Sequence, residues 1–155
     1  MEDGCIGKKL GHSFSAVIHA KLGDYDYRLY ELTETELTEF MTKKDFEGIN
    51  VTIPYKETVI PFLDHIDESA NKIGAVNTIV NNNGILTGYN TDFYGMTELL
   101  KKGRVVLTDK KVFILGTGGT SKTARAVAKS LGAREINVVS RNPKNGEISY
   151  DEMYK

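Results

Sequence analysis

The residues best suited to chemistry form a glycine turn in "VFILGTGGTSKTARAVAKSLG", residues 112–132. Gly116, Gly118 and Ser121 stand at the positions of G-x-G-x-x-G, with serine in the third place. The first glycine permits a tight turn and the second lets backbone approach a pyrophosphate. The third position needs only a small residue where helix meets strand. With Thr117, Gly119 and Thr120, these residues would open a helix whose N-terminal amides face phosphates. The next apolar run, "EINVVS", ends in Ser140, Arg141 and Asn142. An acidic residue there would hold a ribose 2′-hydroxyl, whereas a guanidinium suits a 2′-phosphate, so the expected cofactor is NADP. The plainer alternatives are an ordinary glycine-rich turn and a solvated Arg141.

A second set of polar residues lies in the first hundred. "GHSFS" offers the hydroxyls of Ser13 and Ser15, "NVTIPYK" offers Asn50, Thr52 and Lys56, and "GAVNT" offers Asn77. "GYNTDFYG" offers Asn90, Thr91 and Asp92. Taken singly, each has an ordinary structural reading. The serines could cap a helix, the asparagines could make turns, and Lys56 could be a surface charge.

The elements that must position them can be read from pattern. "SFSAVIHAKLG" reads as a short helix stopped by Gly23, and "DYDYRLYEL" as a strand. "TETELTEFMTKKDF" has Thr33 and Glu36 at capping-box spacing, with Leu37, Phe40 and Met41 on one face. "GINVTI" reads as a strand stopped by Pro54. "KETVIPFLDHI" reads as a helix bent at Pro61. "AVNTIVNNNGILTGYN" reads as a hairpin around Asn82-Asn83-Gly84. "TDFYGMTELLKKG" reads as a helix with a Thr-Asp start and a stop at Gly103. Strands alternating with helices imply an α/β fold with largely parallel strands. The polar stretch 103–111 is the expected domain boundary.

Composition narrows the function. The chain has 155 residues, 40% hydrophobic and 26% charged, with a formal net charge of -1. That balance disfavours nucleic acid and acidic membrane surfaces as partners. A single cysteine, Cys5, excludes an intrachain disulfide framework and fits a reducing compartment. No apolar run reaches the roughly 20 residues of a membrane helix. The acidic start Met-Glu-Asp-Gly lacks a signal-peptide pattern. A cytoplasmic protein is expected. His12, His19 and His65 show no metal spacing with one another or with Cys5, so no metal site is expected.

Together and in this order, followed by the glycine turn, these motifs resemble the shikimate dehydrogenase family over residues 4 to about 142. Gly4-Cys5-Ile6-Gly7 matches the family's first strand, and Ser140-Arg141-Asn142 its NADP-binding turn. The resemblance implies a substrate-binding α/β domain, residues 1–103, followed by the first βαβ unit of a Rossmann-like NADP-binding domain, residues 104–155. It implies reversible reduction of 3-dehydroshikimate to shikimate with NADPH, in aromatic amino-acid biosynthesis. Ser13 and Ser15 match residues that bind the substrate carboxylate. Asn50, Thr52, Asn77 and Asp92 match residues that bind its ring hydroxyls. Lys56 and Asp92 match the catalytic pair, and Gly116 to Ser121 with Ser140 to Asn142 match the cofactor set. The alternatives are a quinate/shikimate dehydrogenase using NAD and a truncated, non-catalytic shikimate-binding module. The family's nucleotide domain continues well beyond one βαβ unit, into a C-terminal helix with a further substrate contact. The chain is therefore expected to be a fragment, a truncated product or part of a fusion, and to lack turnover by itself. Its open sheet edge would suit a second copy or a fused domain.

Overall fold

A computed structural model describes residues 3–144 and 146–155. The acidic start noted above falls in part on Met1 and Glu2, outside the described residues. The chain divides into two compact units, Met1–Asn90 and Thr91–Lys155.

The first unit is built on a six-stranded sheet. Its strands are β1 (Asp3–Gly7), β2 (Tyr27–Glu31), β3 (Gly48–Val51), β4 (His65–Ile66), β5 (Thr78–Asn82) and β6 (Ile85–Tyr89), in the order β2-β1-β3-β5-β6-β4. β1 runs parallel to both β2 and β3, and β4 parallel to β6. β5 is antiparallel to both of its neighbours, so the sheet is mixed rather than largely parallel. For the β5–β6 pair the reason is local. Asn83 and Gly84 both take positive φ, 51° and 89°, which makes the two-residue turn that fits the twist of a hairpin.

Helices α1 (Ser15–His19), α2 (Glu34–Lys43) and α3 (Glu68–Ile73) complete this unit. α2 starts as its sequence predicts. The Thr33 side chain accepts from the Glu36 amide, and the Glu36 carboxylate accepts from the Thr33 amide. Leu37 and Met41, one turn apart, are buried against Phe46, Ile6, Ile49, Val51, Ile79 and Leu86. Each such side chain contributes about 1.5–3 kcal/mol by leaving water.

Three expectations change. The bent helix at Pro61 does not form. The segment instead makes turns from Ile53 to Val59, a single 3-10 turn at Ile60–Phe62 with Pro61 at its start, and then strand β4. Proline suits the first turn of a helix but lacks the amide an interior position needs. α3, unread in the sequence, follows at once, with Asp67 accepting from the Ser69 amide and Gly74 ending it at φ 70°. α1 is only five residues long, and neither serine holds its N-cap position. Phe14 holds the N-cap position without a side-chain hydrogen bond. The chain leaves helix at Ala20 and reaches Gly23 through turns.

The second unit holds α4 (Asp92–Lys102), β7 (Lys111–Leu115), α5 (Gly119–Ser130), β8 (Glu135–Val139) and α6 (Tyr150–Met153). β7 and β8 are parallel, as a βαβ unit requires. Thr123, Val127 and Ala128 of α5 are buried, as are Val138 and Val139 of β8. α4 packs on α5 within this unit. Thr91 occupies the α4 N-cap with helical backbone and makes no capping hydrogen bond with its side chain. Beyond β8, Ile148 adds a parallel bridge to Val139, and a Ser149–Glu152 capping box starts α6.

Candidate functional site

Sheet register sorts the first unit's residues into two faces. Residues paired across adjacent strands share a face, and consecutive residues alternate. Cys5 pairs with Leu29 and with Asn50, Asn50 with Thr78, and Thr78 with Tyr89. This polar row stands opposite the face of Ile6, Ile49, Val51 and Ile79, which the core covers. α1 comes over the polar row. His19 stacks on Tyr27 with ring centroids 3.7 Å apart and planes 13° from parallel.

A chain of hydrogen bonds runs along the row. The Tyr27 hydroxyl donates to Asn50 Oδ1 at 2.6 Å, bridging over β1. Asn50 Nδ2 donates to Thr78 Oγ1 at 3.3 Å, and Thr78 Oγ1 donates to Asn77 Oδ1 at 3.2 Å. Burial raises the proton affinity of the Tyr27 phenol, and a hydrogen bond with the Ser15 side chain opposes that rise. The row therefore links Asn50 and Asn77, two of the residues predicted to bind substrate. Ser13 and Ser15 adjoin each other, the Ser13 Oγ accepting from the Ser15 amide at 3.3 Å.

Thr52 and Lys56 follow β3. The Thr52 amide donates to Ile6 O at 2.9 Å, and Tyr55 turns back onto Thr52 O. Gly7 permits this approach, since a Cβ there would meet Thr52 Cγ2 and Leu10 Cδ2 at 2.7 Å. Tyr55 is buried and its hydroxyl donates to Leu32 O, which anchors the turn just before Lys56. The Lys56 carbonyl accepts from Val76 N at 2.7 Å, beside Asn77, which is buried. Burial pushes the Cys5 thiol up, and the Lys56 ammonium opposes that rise. Asn90, also buried, holds Ala75 O with its Nδ2 at 2.8 Å. His12 and His65 are exposed. Asp92 is the first residue of α4 and belongs to the second unit.

The second unit contains a cavity of about 370 Å³ lined by Gly116, Thr117, Val139, Ser140, Arg141, Asn142, Lys144, Glu147 and Tyr150. Five of the nine residues predicted to hold the cofactor line it. Gly118, Gly119, Thr120 and Ser121 instead form the start of α5. Gly116 takes φ 107°, a conformation that excludes most side chains. A Cβ added at Gly116 or Gly118 would meet nothing within 4 Å, so space lies open over the turn.

Tyr27, Thr78, Lys144 and Tyr150 were missed in the sequence. Thr78 had a readable signal, because it directly follows Asn77 in a strand. Tyr27 had only the alternation of its strand. Among the described residues, no group of three His, Cys, Asp or Glu side chains could hold a metal ion, and no helix is long and apolar enough to cross a membrane.

The architecture is that of a two-unit α/β protein, a mixed sheet with one polar face followed by a parallel βαβ unit with a glycine turn. The chain is similar to shikimate dehydrogenases over nearly its whole length. Residues 5–79 match the family model of the shikimate dehydrogenase substrate binding domain. A shikimate dehydrogenase (NADP(+)) of Clostridium botulinum is 36% identical over 98% of this chain and 62% of its own length. The structure of shikimate dehydrogenase 1 from Peptoclostridium difficile superposes with a TM-score of 0.91 at 33% identity, covering 99% of this chain and 63% of that one. Shikimate 5-dehydrogenase from Thermus thermophilus, in complex with NADP(H) and shikimate, gives 0.83 at 31% identity, over 92% of this chain and 57% of that one. The chain thus spans about three fifths of the length of these relatives.

Proposed function

We propose that the native polypeptide containing these residues is an NADP-dependent shikimate dehydrogenase. It would reduce 3-dehydroshikimate reversibly to shikimate, a step toward chorismate and the aromatic amino acids. The observation that carries this reading is the polar row of the first unit, where Asn50 and Asn77 are joined through Thr78 and Asn50 accepts from Tyr27. Hydroxyls and amides suit a polyhydroxylated carboxylate, because a ligand lacking one hydroxyl leaves a buried partner unpaired. Ser13 and Ser15 are assigned to the carboxylate, and Asn50, Thr52, Asn77 and Asp92 to the ring hydroxyls.

The residues of the second cavity fit the adenosine end of NADP. The volume is in the usual range for a ligand site. Arg141 and Lys144 supply positive charge, Ser140 and Asn142 supply hydrogen bonds, and the glycine turn leaves room for the pyrophosphate. NADPH supplies the hydride. Lys56 is the proposed proton donor to the oxygen that becomes alkoxide as hydride reaches the carbonyl carbon. Asp92 joins it as the second catalytic residue, on the strength of the family resemblance. The cytoplasm is the proposed compartment, in keeping with a buried, unpaired Cys5.

The test is consumption of NADPH, followed at 340 nm, by the native polypeptide supplied with 3-dehydroshikimate, alongside titration with shikimate. Turnover with NADPH well above that with NADH is expected. Shikimate binding without turnover would replace the enzyme by a binding module, and absence of both would overturn the reading.

A further inference from the structure

A carboxamide can sit either way round, presenting oxygen or nitrogen to a ligand, and the two arrangements have nearly the same shape. A neighbouring hydroxyl that donates to the oxygen end sets the choice. At Asn50 the neighbour is Tyr27, whose hydroxyl lies 2.6 Å from Oδ1. The other end of the amide donates to Thr78. Tyr27 is itself held from behind. His19 stacks flat on its ring, and the Tyr25 hydroxyl hydrogen-bonds His19 Nδ1. Three aromatic side chains on or near α1 and β2 thus end in one hydroxyl aimed at one amide oxygen.

We propose that Tyr27 is a positioning residue for substrate. By donating to Asn50 Oδ1, while Thr78 Oγ1 accepts one Nδ2 hydrogen, it holds the amide so that the other Nδ2 hydrogen serves as donor to a ring hydroxyl of a polyhydroxylated carboxylate. The inference rests on the substrate class given under the proposed function. Because burial keeps the phenol protonated well past its ordinary range, the donor persists at any pH at which the protein would work.

Tyr27→Phe tests this, since it removes one oxygen and keeps the ring that His19 stacks on. Shikimate is titrated into the native polypeptide, unsubstituted and as Tyr27→Phe, Asn50→Ala and the double variant. Tyr27→Phe is expected to weaken binding about 5- to 10-fold, the range for one hydrogen bond. In the Asn50→Ala background the same change should add less than about 2-fold, because the residue acts through Asn50. Losses that multiply in the double variant, or normal binding by Tyr27→Phe, would overturn the positioning role. A second readout needs no ligand. The Asn50 side-chain amide resonances should shift in Tyr27→Phe, and unchanged resonances would overturn the role alone. Failure of the unsubstituted native polypeptide to bind shikimate would instead overturn the proposed substrate.

Discussion

The carboxylate of Asp64 accepts at once from Lys44 Nζ at 3.2 Å and from the Leu86 amide at 2.7 Å, fastening the end of α2 to the β5–β6 hairpin. Lys44 also donates to Gly84 O at 2.7 Å, and Asn81 Nδ2 holds the carbonyls of Lys44 and Phe46. The Leu86 amide first, and Lys44 second, hold the Asp64 carboxyl below its ordinary value of 3.8. A depressed carboxyl stabilises the fold above the unfolded-state value and loses that contribution as pH falls through the folded-state value. The first unit is therefore expected to weaken below about pH 4. Asp64→Asn should flatten that dependence in thermal melts taken across the acid range. An unchanged slope would exclude Asp64 as a source of it.

The two glycines of the turn separate strain from access. Gly116→Ala is expected to destabilise the second unit by about 1–3 kcal/mol, because φ 107° is strained for alanine. Gly118, at φ -71° and at the α5 N-cap, should cost less than about 1 kcal/mol when changed to alanine. Its new methyl would occupy the open space over the turn and weaken nucleotide binding. Melting temperature and nucleotide titration, measured on both variants, check the two effects. Undiminished affinity in Gly118→Ala would place the phosphates elsewhere.

Arg141→Ala should weaken NADPH far more than NADH. A charge-assisted contact to phosphate is worth roughly 1.5–3 kcal/mol, or about 10- to 150-fold. Equal losses for the two cofactors in a binding titration would remove Arg141 from the 2′-phosphate.

Binding and chemistry should part at Lys56 and Ser13 in the native polypeptide. Lys56→Ala is expected to lower kcat by a factor on the order of 100 or more, with little change in KM. Ser13→Ala should mainly raise KM, since a carboxylate contact is made equally in the ground and transition states. Near-normal kcat in Lys56→Ala would disprove the proton-donor role.

What was legible in the sequence is what short spacing determines. The Thr33–Glu36 capping box, the Asn83-Gly84 turn and the Gly116 turn each depend on contacts within a few residues, so residue type and spacing sufficed. The ordered motifs were legible as a family pattern for the same reason, since each sits whole in one short stretch. The bent helix at Pro61 misled because apolar spacing there serves a turn, a 3-10 turn and a short strand that pairs with β6, 22 residues on. Sheet order and register belong to the tertiary structure alone. Tyr27 and Asn50 are 23 residues apart and meet only because β1 lies between their strands and both side chains take the face the core leaves open. A strand's alternation shows that two sets of side chains point opposite ways. Which set faces the core, and which neighbour stands beside it, is decided by pairing between distant segments.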